Sequence, residues 1–220
     1  RVVGGSAAYG RGLGAERARV LKVIARALDA GDDKLGLYNQ RIGTAGGVAL
    51  GAALAAMPSP LPFEAMDLTA NELTAAGMAP IAAAIGGGRA PRLKLVAAAY
   101  CELGDEGAKA LARALADCPS LEELFLSTND VGAAGSEALA AQVPRWPELR
   151  ELIAGNNPGP SDALGRALAA ALPSLPDAEE FYLVSSGLGE GAAAELRAAK
   201  AAARSGVKIR LGDGEDSDDY

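Results

Sequence analysis

Histidine is absent from all 220 residues. Its absence removes the Ser-His-Asp and Cys-His pairs, the HExxH zinc site and any imidazole proton switch. Two cysteines, Cys101 and Cys118, are too few for a disulfide framework of the small secreted kind and suit a reducing compartment. The glycine runs at Gly10-Arg11-Gly12-Leu13-Gly14 and Gly86-Gly87-Gly88 lack the GK[ST] ending and the GxGxxG spacing of phosphate loops. No carboxylate pair, nucleophile with base or metal-ligating cluster recurs at a chemically useful spacing. The chain is therefore expected to be non-enzymatic and to use no cofactor or metal. What remains is non-covalent chemistry: glutamates and a sparse set of aromatics, which need a scaffold to bring them together.

Composition narrows that scaffold. Half of the residues are hydrophobic, only 4% are aromatic, and 50 are alanine. A disordered chain would be poorer in apolar residues, and an immunoglobulin-like sandwich would want β-branched and aromatic strands. The net charge of −7 is concentrated at one end: Asp213, Glu215, Asp216, Asp218 and Asp219 fall in the last eight residues. Without them the body carries 21 basic and 23 acidic residues. No broad basic face exists for nucleic acid. The long uncharged stretch 42–63 is broken by four glycines and three prolines, so it is not expected to span a membrane.

An internal period organises the chain. The frame Leu121-x-x-Leu124-x-Leu126-x-x-Asn129-x-Val131-Gly132 also fits Phe63-x-x-Met66-x-Leu68-x-x-Asn71-x-Leu73 and Leu93-x-x-Val96-x-Ala98-x-x-Cys101-x-Leu103-Gly104. It fits Leu149-x-x-Leu152-x-Ala154-x-x-Asn157, Phe181-x-Leu183-x-x-Ser186-x-Leu188-Gly189 and Leu35-x-Leu37-x-x-Gln40-x-Ile42-Gly43. The polar anchors Gln40, Asn71, Cys101, Asn129, Asn157 and Ser186 stand about 28–31 residues apart. Alternation in Leu124-Phe125-Leu126 marks a short strand with the leucines inward. After each bend, Leu73/Gly77/Ile81/Ile85, Leu103/Gly107/Leu111/Leu115 and Val131/Gly135/Leu139/Val143 recur every fourth residue, as one face of a helix does. In the fifth repeat Asn157-Pro158-Gly159-Pro160 replaces the usual turn, and Leu164, Leu168 and Leu172 are shifted by a one-residue insertion. An asparagine at the bend can serve backbone donors and acceptors at once; Gln40 and Ser186 are poorer substitutes, so the first and last turns are expected to be looser.

These motifs, and above all the run from Leu103 to Val143, resemble leucine-rich repeats, in particular the ribonuclease-inhibitor-like subclass. The resemblance covers roughly residues 10–214. It implies an α/β solenoid, a horseshoe with parallel strands on the concave face and α-helices on the convex one. It is specific to an architecture and not to a function. Residues 1–30, with Val20, Leu21, Ile24 and Leu28, are expected to form a partial repeat or N-terminal cap. Residues 31–211 hold about six repeats plus a final strand at Val207, Ile209 and Leu211, and 212–220 are an acidic tail. Because it opens on Arg and not Met, the chain is expected to be a processed or truncated product, working in the cytoplasm or in an organelle after loss of a targeting segment.

On that frame the outward strand positions are Gly36, Asp67, Ala97, Phe125, Ile153, Tyr182 and Arg210, with Tyr38 and Tyr100 just beyond their strands. Phe125, Ile153 and Tyr182 form a row across three repeats, which reads either as an interface or as cross-strand packing. Strands begin with Glu64, Glu122, Glu123, Glu151, Glu179 and Glu180, an acidic ridge suited to a basic partner or to plain solubility, partly neutralised by Lys94 and Arg150. The expected partner-binding face is Tyr38, Asp67, Tyr100, Glu123, Phe125, Glu151, Ile153, Glu180 and Tyr182. Trp146 is expected to plug a helix-to-strand connection, Cys101 to sit in the core, and Cys118 to lie at a helix end, unpaired with Cys101.

The leading expectation is a protein-interaction module or scaffold that holds a protein partner, one with a basic patch, on the concave face. A second reading is a structural subunit of a larger complex, using its convex face or ends. A third comes from the resemblance: Ran GTPase activators share this repeat subclass and use an arginine on a loop after an early strand. Arg41 in Tyr38-Asn39-Gln40-Arg41-Ile42-Gly43 holds the matching place, although its flanking residues differ from that motif.

Overall fold

The computed structural model describes residues 6–29, 32–159, 161–203 and 206–212. The acidic tail, Pro160 and the first five residues lie outside that set. Strands β1 (Lys34–Gly36), β2 (Ala65–Asp67), β3 (Leu95–Ala97), β4 (Glu123–Phe125), β5 (Glu151–Ile153), β6 (Glu180–Tyr182) and β7 (Lys208–Arg210) alternate with helices α1 (Ser6–Asp29), α2 (Gly43–Ala56), α3 (Thr74–Ile85), α4 (Gly104–Leu115), α5 (Ala133–Ala140), α6 (Asp162–Ala171) and α7 (Glu190–Ala202). The strands form one sheet in the order of the chain, every pair parallel. Register aligns Leu35, Met66, Val96, Leu124, Leu152, Phe181 and Ile209 in a buried row facing the helices.

Small residues set the helix spacing. A Cβ on Gly47 would stand 2.8 Å from the Gly77 Cα, and one on Gly51 would stand 2.5 Å from the Pro80 carbonyl carbon. The α2 and α3 backbones therefore touch, which only glycine permits. Helix α5 ends at Ala140, earlier than the four-residue period suggests, because Pro144 turns the chain into a 3-10 segment, Val143–Arg145. Val143 stays buried there, and Trp146, fully buried, donates its indole N–H to the Leu115 carbonyl at the end of α4 (2.9 Å). Trp146 thus plugs the helix-to-strand connection. In the fifth repeat, α6 starts one residue later after its anchor than α5 does, and Leu164, Leu168 and Leu172 are buried all the same.

The anchors stitch neighbouring repeats together. Asn71 donates to Leu37 O (2.7 Å) and Leu68 O (2.8 Å) and accepts from Gln40 N (3.1 Å). Asn129 donates to Ala98 O (2.7 Å) and Leu126 O (3.0 Å) and accepts from Cys101 N (2.9 Å). Asn157 donates to Leu126 O (3.1 Å) and accepts from Asn129 N (2.9 Å). The Cys101 thiol copies part of this, donating to Leu68 O (3.1 Å). Ser186 is too short to reach back to the previous backbone; Ser161, brought forward by the extra residue, meets it side chain to side chain (2.8 Å). The Gln40 side chain, among the described residues, makes a single local bond, to Tyr38 O (3.2 Å). Residues on either side of the anchors, among them Tyr100, Glu102, Thr128 and Asp130, adopt left-handed φ between 54° and 57°, the bend that turns each strand toward its helix.

Candidate functional site

Residues that alternate with the buried row form three rows on the open face of the sheet. One is Lys34, Ala65, Leu95, Glu123, Glu151, Glu180 and Lys208; the next is Gly36, Asp67, Ala97, Phe125, Ile153, Tyr182 and Arg210. Beyond the strand ends, Leu37 N bonds Asp67 O and Asn39 N bonds Thr69 O, which sets Tyr38 beside Thr69. Register thus brings Phe125, Ile153 and Tyr182 side by side and Glu123, Glu151 and Glu180 side by side. All six are half-buried. Tyr182 lies over the β5 turn, where a Cβ on Gly155 would come within 2.3 Å of its ring. The apolar row is therefore a flush surface and not a set of protruding rings. Tyr38 and Tyr100 differ: they are 60% and 57% exposed, and Tyr100 sits one residue further along its repeat, in the left-handed turn.

The acids at the strand starts do not make one ridge. Glu64, Glu122 and Glu179 occupy the position preceding each strand, and there they alternate with Lys94 and Arg150. Lys94 reaches Glu64 and Glu122 (both 3.7 Å), and Arg150 bridges Glu122 (3.4 Å) and Glu179. Arg92 also pairs with Glu64 and holds its carboxyl below the ordinary range. Glu180 pairs with Arg210 (3.0 Å). Glu123 and Glu151 have no ion-pair partner among the described residues. Burial raises the pKa of each, and neighbouring carboxylates, Glu122 for Glu123 and Glu123 for Glu151, push it further. Two like charges thus sit in register on adjacent strands beside an apolar row.

Other side chains escaped the sequence reading. Asp105 lies in the first turn of α4, where that helix's dipole favours an acid, yet its carboxylate accepts from Gly132 N (2.7 Å) and Gly135 N (2.8 Å) and so caps the neighbouring α5. Asp162 does the same for α7 through Gly189 N (2.6 Å). Arg89 gathers the carbonyls of Ala84 (2.9 Å), Leu54 and Met57 (both 3.0 Å), tying the ends of α2 and α3. Cys101 and Cys118 are both free and buried, and burial pushes the Cys118 thiol up to about 11. Arg41 is exposed in a left-handed turn, its carbonyl accepting from Arg19 (3.1 Å). No helix among the described residues is long and apolar enough to cross a membrane.

Among the described residues, seven parallel strands, each followed by a bend and, for six of them, a helix, with buried polar anchors linking most neighbours, define a β/α repeat solenoid with one open sheet face. Residues 99–112 and 117–140 match the family model described as Leucine Rich repeat. Those segments carry leucine-rich repeats, and the chain folds as a leucine-rich repeat solenoid. Among solved structures it is similar to the tropomodulin C-terminal domain of Caenorhabditis elegans, with a TM-score of 0.50 and 12% identity over 82% of this chain and 90% of that one. It is also similar to actin-binding site 2 of leiomodin-1, with a TM-score of 0.45 and 13% identity over 82% and 86% of the two chains. The first likeness is one of fold alone. No curated protein matches the sequence significantly.

Proposed function

We propose that this chain is a protein-interaction module that holds a partner on the open face of its sheet, at the row Phe125, Ile153 and Tyr182 and the adjoining carboxylates. The observation that carries the reading is the pair Glu123 and Glu151. Among the described residues, the acids Glu64, Glu122, Glu179 and Glu180 are bridged by cations, and these two stand in register and unbridged beside an apolar surface. A partner's basic patch would relieve that repulsion while an apolar side chain covers the flush row, and charge complementarity would speed the encounter. The regular alternation of strand and helix supports the ribonuclease-inhibitor-like subclass; residues 1–30 are proposed as a partial repeat or N-terminal cap. Affinity capture from the native source, with wild type beside a folded Phe125→Ala/Tyr182→Ala variant, tests the reading. A partner lost only in the variant supports it; equal recovery by both overturns it.

A second reading, docking through the convex side in a larger assembly, is favoured by one observation. Helices α2 and α3 carry no charged residue, and Val48 on α2 is 48% exposed. A partner kept by the Phe125/Tyr182 variant and lost by Val48→Asp would establish it.

A further inference from the structure

Tyr38 and Tyr100 are two of the four large apolar side chains that the described residues leave exposed. The other aromatics among the residues whose side chains are described are buried or half-buried. The two tyrosines stand at the C-terminal ends of β1 and β3. One strand separates theirs, so their backbones are about 10 Å apart, with Thr69 and Ala70 of the β2 turn between them. Nothing larger than a threonine fills that interval, and a Cβ on Gly36 would meet nothing within 4 Å. The sheet face is therefore low here, with two rings standing above it.

The charges around the rings are acidic except at the Tyr38 end, where Arg41 takes the residue after the anchor and Arg19 donates to its carbonyl (3.1 Å). Asp67 lies on the strand between them; among the described residues its carboxylate accepts only the Thr69 amide (3.0 Å). Glu72, Glu102 and Asp130 occupy the residue after the anchor in three successive turns, each with φ between 50° and 55° and each exposed. None of these four acids has an ion-pair partner among the described residues. At the opposite edge Glu64, Glu122 and Glu179 all do. One edge of the sheet is thus neutralised from within the chain, while the other presents, beside exposed aromatic faces, carboxylates without ion pairs among the described residues, with Arg41 and Arg19 at its Tyr38 end. Left-handed turns stitched by Asn71, Cys101 and Asn129 hold those carboxylates in place before any partner arrives, which lowers the ordering cost of binding.

We infer that the edge formed by Tyr38, Tyr100, Asp67, Glu72, Glu102 and Asp130 docks a cationic, arginine-bearing segment of a protein partner. A guanidinium lies over a tyrosine face and donates to the turn carboxylates, an arrangement in which cation–π and ionic attraction act on one group. The inference extends the open-face reading to a second place on the same face and rests on that reading only for the partner being a protein.

The probe is a fluorescein-labelled eight-residue peptide of alternating arginine and serine, with glutamine in place of arginine as the neutral control, titrated into the full chain. Fluorescence anisotropy should show binding of the cationic peptide alone. It should weaken about ten-fold in Tyr38→Ala/Tyr100→Ala, as the loss of two cation–π contacts implies, and comparably in Glu72→Gln/Glu102→Gln. Glu137→Gln, on the convex helix α5, should leave it unchanged. Amide shifts in a nitrogen-15 correlation spectrum should map to residues 67–72 and 100–102. Unchanged affinity in the Tyr38/Tyr100 and Glu72/Glu102 variants, shifts confined to residues 213–220 or to the Phe125 row, or no binding of the cationic peptide overturns the inference. The partner capture described above fails or succeeds independently of this titration, so the two readings fall separately.

Discussion

Replacing Asn129 with alanine tests the claim that buried anchors hold neighbouring repeats together. The side chain is fully buried and makes three good hydrogen bonds: to Ala98 O (2.7 Å), to Leu126 O (3.0 Å) and from Cys101 N (2.9 Å). Two of these cross to the preceding repeat. A net worth of about 1 kcal/mol per bond gives a loss of about 3 kcal/mol, and the partners are then left buried without replacements, so about 2–4 kcal/mol is the expected range. Asn129→Cys should cost about half as much, because a thiol keeps a weak donor where Cys101 already shows one reaching Leu68 O. Gln40→Ala removes a single local bond at a partly exposed site and should cost under about 0.5 kcal/mol. Equilibrium urea unfolding by circular dichroism measures all three. Amide exchange supplies the local readout, since the Cys101 N–H loses its acceptor and should exchange faster in the alanine variant. A loss below about 1 kcal/mol for Asn129→Ala, or the same loss at Gln40, would refute the reasoning.

Three further outcomes follow from the packing and the charges. Glu123→Gln and Glu151→Gln should each stabilise the fold at neutral pH by about 0.2–1 kcal/mol, the scale of like-charge repulsion between facing strand residues. Because the folded-state pKa of both acids is raised above the ordinary 4.5, the wild type takes up protons on folding in the window just above that value. Its stability therefore rises as pH falls through this window, and the advantage of glutamine should vanish below it; a gain independent of pH would contradict the assignment. Gly51→Ala drives a methyl into the Pro80 backbone and should lower stability by about 1–3 kcal/mol, whereas Gly191→Ala, whose Cβ would meet only Arg166 at 3.9 Å, should raise it by about 0.5 kcal/mol. Thermal melts of the two variants should shift in opposite directions. Buried Cys118, its thiol pushed up to about 11, should resist iodoacetamide at pH 8 in the native protein and react once unfolded; fast native labelling would place it elsewhere.

The strands and the anchors were legible because each obeys a rule internal to one repeat. Leu124 and Leu126 flank Phe125 by strand alternation, and an amide at Asn129 meets the needs of any bend. The one-residue insertion after Asn157 was equally plain, since it moved Leu164, Leu168 and Leu172 together. What stayed hidden depends on pairs of repeats. Asp105 lies in the first turn of α4, whose dipole suits its charge, but its carboxylate serves α5. Glu122 and Glu123, adjacent in sequence, read as parts of one ridge. The structure sends them to different fates: Glu122 to Lys94 and Arg150, Glu123 to an unbridged place beside Glu151. Stacking the repeats by their inward residues would have exposed the alternation Glu64, Lys94, Glu122, Arg150, Glu179, and with it the acids left over.

The same dependence on neighbours decides which aromatics are available to a partner. Phe125, Ile153 and Tyr182 occupy equivalent positions on consecutive strands, so each finds an apolar neighbour and the row packs itself flat; Tyr182 also gains a seat because the preceding repeat offers Gly155. Tyr38 and Tyr100 occupy positions one residue apart in their repeats, with only Thr69 and Ala70 on the strand between, so neither has a ring to lie against and both remain exposed. The flush row offers area at small cost in hydration, whereas the isolated rings offer faces that only an incoming group can cover. A partner bound to the row alone would leave those rings wet and the acids beside them unpaired, so the two surfaces are best satisfied by one chain that reaches both.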